Sequence, residues 1–174
     1  VVGAITYPAE FMMVCAMNPC KCGWYGDPSG KCTCSEHSVE NYRSRISGPL
    51  LDRIDMIVEV PAVHYEDLRR RQEAEPSAEI RARVNEARKI QHRRFGESSG
   101  MCNGRMGPTE LRYFCVLDDE CDELMKGAFE AFGLTARSYD RILRVARTIA
   151  DLDGSDNIQA DHIAEAIQFR TLNL

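Results

Sequence analysis

Several features are missing from this 174-residue chain, and each absence removes a class of protein. No apolar run approaches the roughly 18 residues that a bilayer-spanning helix needs, and no secretory signal opens the chain, so no membrane is expected among its partners. An excess of basic charge is also absent. The 22 Lys and Arg residues stand against 27 Asp and Glu, a formal net charge of −5, which excludes a general polyanion binder. A phosphate-binding loop is missing as well. Gly26-Asp27-Pro28-Ser29-Gly30-Lys31 imitates one, but three residues separate its glycines where four are needed, and Cys32 stands where a magnesium-binding Ser or Thr belongs. Nothing in the chain can cradle a triphosphate.

Cysteine, by contrast, is plentiful. Eight in a chain of this length raise the idea of a secreted disulfide scaffold, but the ample apolar helical content argues against it. Four of them form Cys20-x-Cys22, nine residues, then Cys32-x-Cys34. Thiolates are soft ligands, and four satisfy zinc's tetrahedral preference with no open position, so the pattern points to a structural zinc rather than a catalytic one. Disulfides, another metal or no metal are the alternatives, since Cys-x-x-Cys is the commoner spacing. Gly23, Gly26 and the Asp27-Pro28-Ser29-Gly30 turn let the loop double back. With a full cysteine set, His37 reads as a surface histidine. Cys15 and Cys115 lie in apolar stretches, and Cys102 and Cys121 lack partner spacing; all four read as reduced thiols of a cytoplasmic protein.

Periodicity predicts short strands first and helices after. Phe11–Met17 reads as a strand buried on both faces, and Met56–Val60 as a second strand ended by Pro61. Ser35 caps a helix expected through about Ile46. Gly48 and Pro49 break it, leading into a tight turn to Arg53. Ser77 is expected to cap a long helix carrying Ile80, Val84, Ala87 and Ile90, stopped by Gly96. Further helices are opened by Pro108, by Asp118 (closed by Gly133) and by Thr135, and the last runs from Ala160 to Arg170. The fold class is therefore mostly α. The strands are too few to make a stable sheet alone.

Three polar positions stand out. Asn18 follows the first predicted strand, at the end where open parallel sheets place their chemistry; on its own it reads as an ordinary turn residue. Arg53 leaves a tight Ser-Gly-Pro turn. It is placed either to stabilise phosphoryl charge or to pair with Asp52, Asp55 or Glu59. Arg137 falls in the first turn of a helix, where a cation opposes the dipole unless an anion is near; surface salt bridging is the alternative. The basic stretch Arg81–Arg94 and the acidic stretch Asp118–Glu123 read as solvated helix faces, the first adding at most weak, salt-sensitive phosphate contacts.

Taken jointly, Ala16-Met-Asn-Pro-Cys-x-Cys-Gly23, Cys32-x-Cys34, Ser47-Gly-Pro-Leu-Leu-Asp-Arg-Ile-Asp55 and Leu134-Thr-Ala-Arg-Ser-Tyr-Asp-Arg-Ile-Leu-Arg-Val-Ala-Arg-Thr-Ile-Ala-Asp-Leu152 resemble the ComM/YifB family of bacterial, magnesium-chelatase-like AAA+ ATPases. The resemblance covers nearly the whole chain. It implies that Asn18 is the sensor-1 residue, Arg53 an arginine finger reaching a neighbouring subunit's ATP site, and Arg137 the sensor-2 arginine. It also implies identical subunits in a hexameric ring, DNA as partner, and a helicase activity promoting branch migration in natural transformation. Residues 1–62 would be the C-terminal part of an α/β AAA+ core, with the cysteine knuckle at 18–34, and residues 63–174 an α-helical lid. ATP and magnesium would belong to a full-length parent only, and the chain alone should not hydrolyse ATP. The alternatives are a non-enzymatic, zinc-dependent module that binds protein or nucleic acid, or a motor associated with a metal chelatase.

Overall fold

The computed structural model describes residues 3–170 apart from 8, 10, 64, 66–68, 70–73 and 98. The chain divides into two units, residues 1–45 and 46–174. The start of the helical region expected from residue 63 falls largely outside the described residues.

The first unit holds the cysteine loop and one helix, α1 (Glu36–Arg43). Ser35 caps it by accepting from the Ser38 N–H at 3.3 Å, with Glu36 in the first turn and Arg43 in the last, each complementing the helix dipole. It stops at Arg43 rather than Ile46. Ser44 turns its hydroxyl back to the Asn41 carbonyl at 3.2 Å, the kind of local bond that competes with helix continuation. The predicted strand at Phe11–Met17 is not formed. Its side chains are exposed, Met12 to 88% and Val14 to 82%, and Cys15 with them. A strand needs neighbours for its N–H and C=O groups, and no strand exists among the described residues to supply them.

The second unit contains α2 (Gly48–Leu51), α3 (Ser77–Phe95), a 3₁₀ turn (Asn103–Arg105), α4 (Pro108–Phe114), α5 (Asp119–Phe132), α6 (Ala136–Leu152) and α7 (Ala160–Gln168). Its caps follow the sequence. Asp118 accepts from the Cys121 N–H at 2.9 Å and Thr135 from the Ser138 N–H at 3.2 Å, while Gly133 ends α5 at φ 60°, a left-handed value that glycine adopts without strain. Helix α6 is the central member. It packs against α3, α4, α7 and the 3₁₀ turn, while α5 packs on α7. Ile142, Ala146 and Ala150 of α6 meet Met125 of α5 and Ile163 and Ala166 of α7 in a core without solvent exposure or nearly so.

Other expectations are corrected. Helix α3 begins at Ser77 with Pro76 as its N-cap residue, so no side chain caps it. Ile80 and Val84 lie exposed, and burial begins only at Ala87 and Gln91, because the C-terminal part of α3 alone carries residues into the bundle. Met56–Val60 is extended but is not a strand. One backbone bond, Ile57 N–H to the Phe169 carbonyl at 3.0 Å, ties it to the end of α7, and Val58 and Val60 face outward.

Charge also enters the core. Asp151 of α6, fully buried, accepts two bonds from Arg94 at 2.7 and 2.5 Å, one from Arg147 at 3.1 Å and one from the Asn103 amide at 2.7 Å. Arg147 spends its remaining donors on the carbonyls of Ser155 (2.6 Å) and Asp156 (2.8 Å), which pins the turn after α6.

Candidate functional site

The cysteine loop is built by tight turns. Gly23 N–H returns to the Cys20 carbonyl at 3.1 Å, and Asp27 N–H to that of Trp24 at 3.2 Å. The Asp27 carboxylate takes the Ser29 N–H at 2.8 Å. Gly23 and Gly26 sit at φ 83° and 81°, conformations that L side chains rarely adopt. The result brings Cys20, Cys22, Cys32 and Cys34 together with all four sulfurs within 4.8 Å of one another. Cys20 Sγ lies 3.3 Å from Cys22 Sγ and 3.9 Å from Cys32 Sγ, and Cys22 Sγ 3.6 Å from Cys32 Sγ. Sulfurs at the corners of a tetrahedron with metal bonds of about 2.3 Å would stand about 3.8 Å apart.

The donor set suits a thiolate-bound cation. Burial of Cys20 opposes its ionisation, but donation from Cys22 and from the backbone N–H groups of Trp24, Tyr25 and Cys22 outweighs it and brings the thiol down to about 6. The Trp24 amide likewise lowers Cys22. For Cys32 the Cys34 amide favours the thiolate, but burial and the neighbouring Cys22 and Cys20 win and push it up to about 11. Four sulfurs so close cannot all ionise without a cation between them, so the cluster fits a metal ion. Lys31 Nζ lies 4.6 Å from the Trp24 ring centre, and the Arg43 guanidinium lies 4.9 Å from that of Tyr25, placing positive charge beside the loop. His37 is exposed and bonded to Asn41 at 3.0 Å, outside the sulfur cluster. Asn18 is exposed at the start of the same loop, its amide 3.9 Å from where a Cβ on Gly23 would stand.

In the second unit, Arg53 leaves a turn held by its own backbone. The N–H groups of Leu50 and Leu51 bond the Ser47 carbonyl at 2.9 and 3.1 Å, and Arg53 and Ile54 close onto Leu50 and Leu51 at 2.9 and 3.1 Å. Its guanidinium donates to the Pro49 carbonyl at 2.7 Å and is exposed. The ion-pair alternative is not what holds it. Asp52 faces Arg170 at 3.8 Å and Asp55 pairs with Arg141, and no carboxylate pairs with Arg53 among the described residues. Arg137, in the first turn of α6, is exposed, and no hydrogen bond or ion pair holds it among the described residues.

Sequence reasoning missed Arg170. It lies just past the end of α7 with its side chain 6% exposed, donating to the Ile54 carbonyl at 2.5 Å, the Leu51 carbonyl at 3.4 Å and the Ser138 hydroxyl at 3.2 Å. Burial, with help from Arg141, lowers its pKa against the pull of Asp52 and Asp55. Nothing in the local sequence marks it, since a cation at a helix C-terminus is ordinary.

The family model described as "Magnesium chelatase, subunit ChlI C-terminal" matches residues 74–170, more than half of the chain, and "Magnesium chelatase, subunit ChlI" matches residues 2–68. The chain belongs to the magnesium-chelatase-like ComM/YifB family. Among its relatives, the uncharacterized protein YifB of Escherichia coli is 38% identical over 170 residues, and competence protein ComM of Haemophilus influenzae 37% over 169; each comparison covers 97% of this chain and 32% of the relative. An uncharacterized protein of Mycobacterium tuberculosis is 32% identical over 168 residues, covering 97% of this chain and 33% of its own. The chain thus spans about a third of the length of the curated relatives it matches. As a member of this family it is mainly helical in its described part and carries a four-cysteine cluster. No described helix is long and apolar enough to cross a membrane.

Proposed function

We propose that the chain is the C-terminal part of a ring-forming AAA+ ATPase that moves on DNA as a helicase or branch-migration motor in the cytoplasm, supporting transformation or recombination. The observation that carries this is Arg53: exposed, held on a rigid turn and bonded to a neutral carbonyl rather than a carboxylate, in a chain of this family. Its guanidinium, always charged, suits stabilisation of the γ-phosphate in an adjacent subunit. Arg137 serves as the sensor-2 arginine, its charge at a helix N-terminus matched by nucleotide phosphate. Asn18 serves as sensor 1 and orders the attacking water. Cys20, Cys22, Cys32 and Cys34 hold a structural zinc, which supplies a crosslink and no chemistry. Residues 1–62 act as the later part of the ATPase core and residues 63–174 as the lid. This division differs from the packing boundary at 45/46 because Arg170 and Asp55 tie the Arg53 turn to the helices. Without a phosphate-binding loop, the 174-residue chain by itself hydrolyses no ATP.

The test uses the full-length protein, its DNA-stimulated ATPase measured while Arg53→Ala subunits are mixed in. A loss steeper than the mutant fraction is expected, since each altered subunit disables a neighbour's site. Loss in strict proportion removes the role across the interface. No ATPase activity at all leaves the non-enzymatic zinc-dependent module as the explanation of the cysteine cluster.

A further inference from the structure

Within the second unit, three contacts converge on one short stretch of chain. Arg170 donates one Nη to the carbonyls of Ile54 (2.5 Å) and Leu51 (3.4 Å), and the other to the Ser138 hydroxyl (3.2 Å). Ser138 is buried in the first turn of α6, its hydroxyl also 3.2 Å from that of Thr135, the residue that caps the helix. The bonds therefore run without a gap from the turn that carries Arg53 to the helix start that carries Arg137. One helical turn further along α6, Arg141 pairs with Asp55, and the Ile57 N–H reaches the Phe169 carbonyl at 3.0 Å.

We propose that Arg170 is a positioning residue that clamps the Arg53 turn to the first turn of α6, so that Arg53 and Arg137 are carried as one rigid pair. A space-filling role does not account for it. Arg170 is charged and nearly buried, and its Nε is buried with no hydrogen-bond partner among the described residues, a cost that an apolar side chain of the same length would not incur. What an apolar residue cannot do is hold two backbone carbonyls and a hydroxyl at once. Lysine cannot do it either, because a single ammonium lacks the planar fork that spans both sides. The consequence for catalysis rests on the proposed function. If Arg53 serves a neighbour's nucleotide and Arg137 its own subunit's, the clamp mechanically joins two adjacent sites of the ring.

Two measurements test this. In the 174-residue chain, amide hydrogen exchange is compared among wild type, Arg170→Met and Arg170→Lys. Both variants are expected to exchange about tenfold faster across residues 50–57, with Met125 and Ala128 in α5 unchanged. Acceleration spread evenly over the bundle, no acceleration, or full rescue by lysine overturns the clamp. In the full-length protein, Arg170→Met should lower kcat about tenfold with KM for ATP within about twofold, and should add nothing when Arg53 is already alanine. Unchanged kcat despite a loosened turn overturns the positioning role. If the full-length wild type hydrolyses no ATP, the proposed function fails while the exchange result still decides the clamp.

Discussion

Replacing Asp151 with asparagine keeps the shape of the side chain and removes its charge. The carboxylate stands between Arg94 and Arg147 with no solvent exposure of its own, and those arginines are 11% and 3% exposed. Losing it strands two buried cations and sets an amide N–H against their donors. Breaking a buried ion pair from one side costs about 3–5 kcal/mol. A unit of about 130 residues unfolds with an entropy of about 2.1 cal/mol/K per residue, so the melting point of the helical unit should fall by roughly 11–18 °C. The assay can separate the units. Trp24 is the chain's single tryptophan and lies in the first unit, whereas nearly all helix lies in the second. The far-UV circular dichroism transition should therefore move while the Trp24 fluorescence transition does not. A second variant, Arg94→Met with Arg147→Met and Asp151→Leu, gives up the carbonyl bonds of Arg147 and the bonds of Asn103 to Arg94 and Asp151 but strands no charge, and should lie closer to wild type than Asp151→Asn. A shift below about 4 °C for Asp151→Asn, or a triple variant less stable than the single one, would refute the reasoning.

Two other outcomes are expected. Burial pushes the Cys115 thiol up from 9.0 to about 11, against the opposing pull of Arg147 and Arg94, so the folded unit keeps it protonated while the unfolded chain ionises it. Its contribution to stability is complete below pH 9 and disappears as pH rises towards 11, a loss of about 2 kcal/mol; urea midpoints at pH 8 and 10.5 should fall more for wild type than for Cys115→Val, and parallel slopes would count against it. Metal analysis of chain purified without added metal should find one zinc per chain, lost in Cys32→Ser, with Trp24 emission shifting and the helical signal of the second unit retained; absence of zinc from the wild type would end that assignment.

Where a local rule decides the structure, it was readable. Thr135 and Asp118 cap their helices because a short oxygen-bearing side chain there reaches an unpaired N–H, and Gly133 ends α5 because φ is positive. The four cysteines converge because the loop glycines permit the reversal. Where a partner distant in sequence decides, it was not. Periodicity assigns charge to the solvent side, so Arg147 and Asp151 were invisible as core residues until Arg94, 57 positions from Asp151, was seen to meet them. The same limit hid Arg170, whose carbonyl partner Ile54 is 116 positions away. Ile80 and Val84 have helical spacing, but spacing does not say whether a neighbouring element faces them.

Phe11–Met17 has a consequence for handling the protein. It is a seven-residue apolar stretch without charge, proline or glycine, its side chains are exposed, and its backbone has no strand to pair with among the described residues. Low charge, absent proline and glycine, and exposed apolar side chains are features that let a short segment stick to copies of itself. In the 174-residue chain this exposed tract is where association between molecules should begin at high concentration, and a lysine within it should act as a gatekeeper at little cost to the helical bundle.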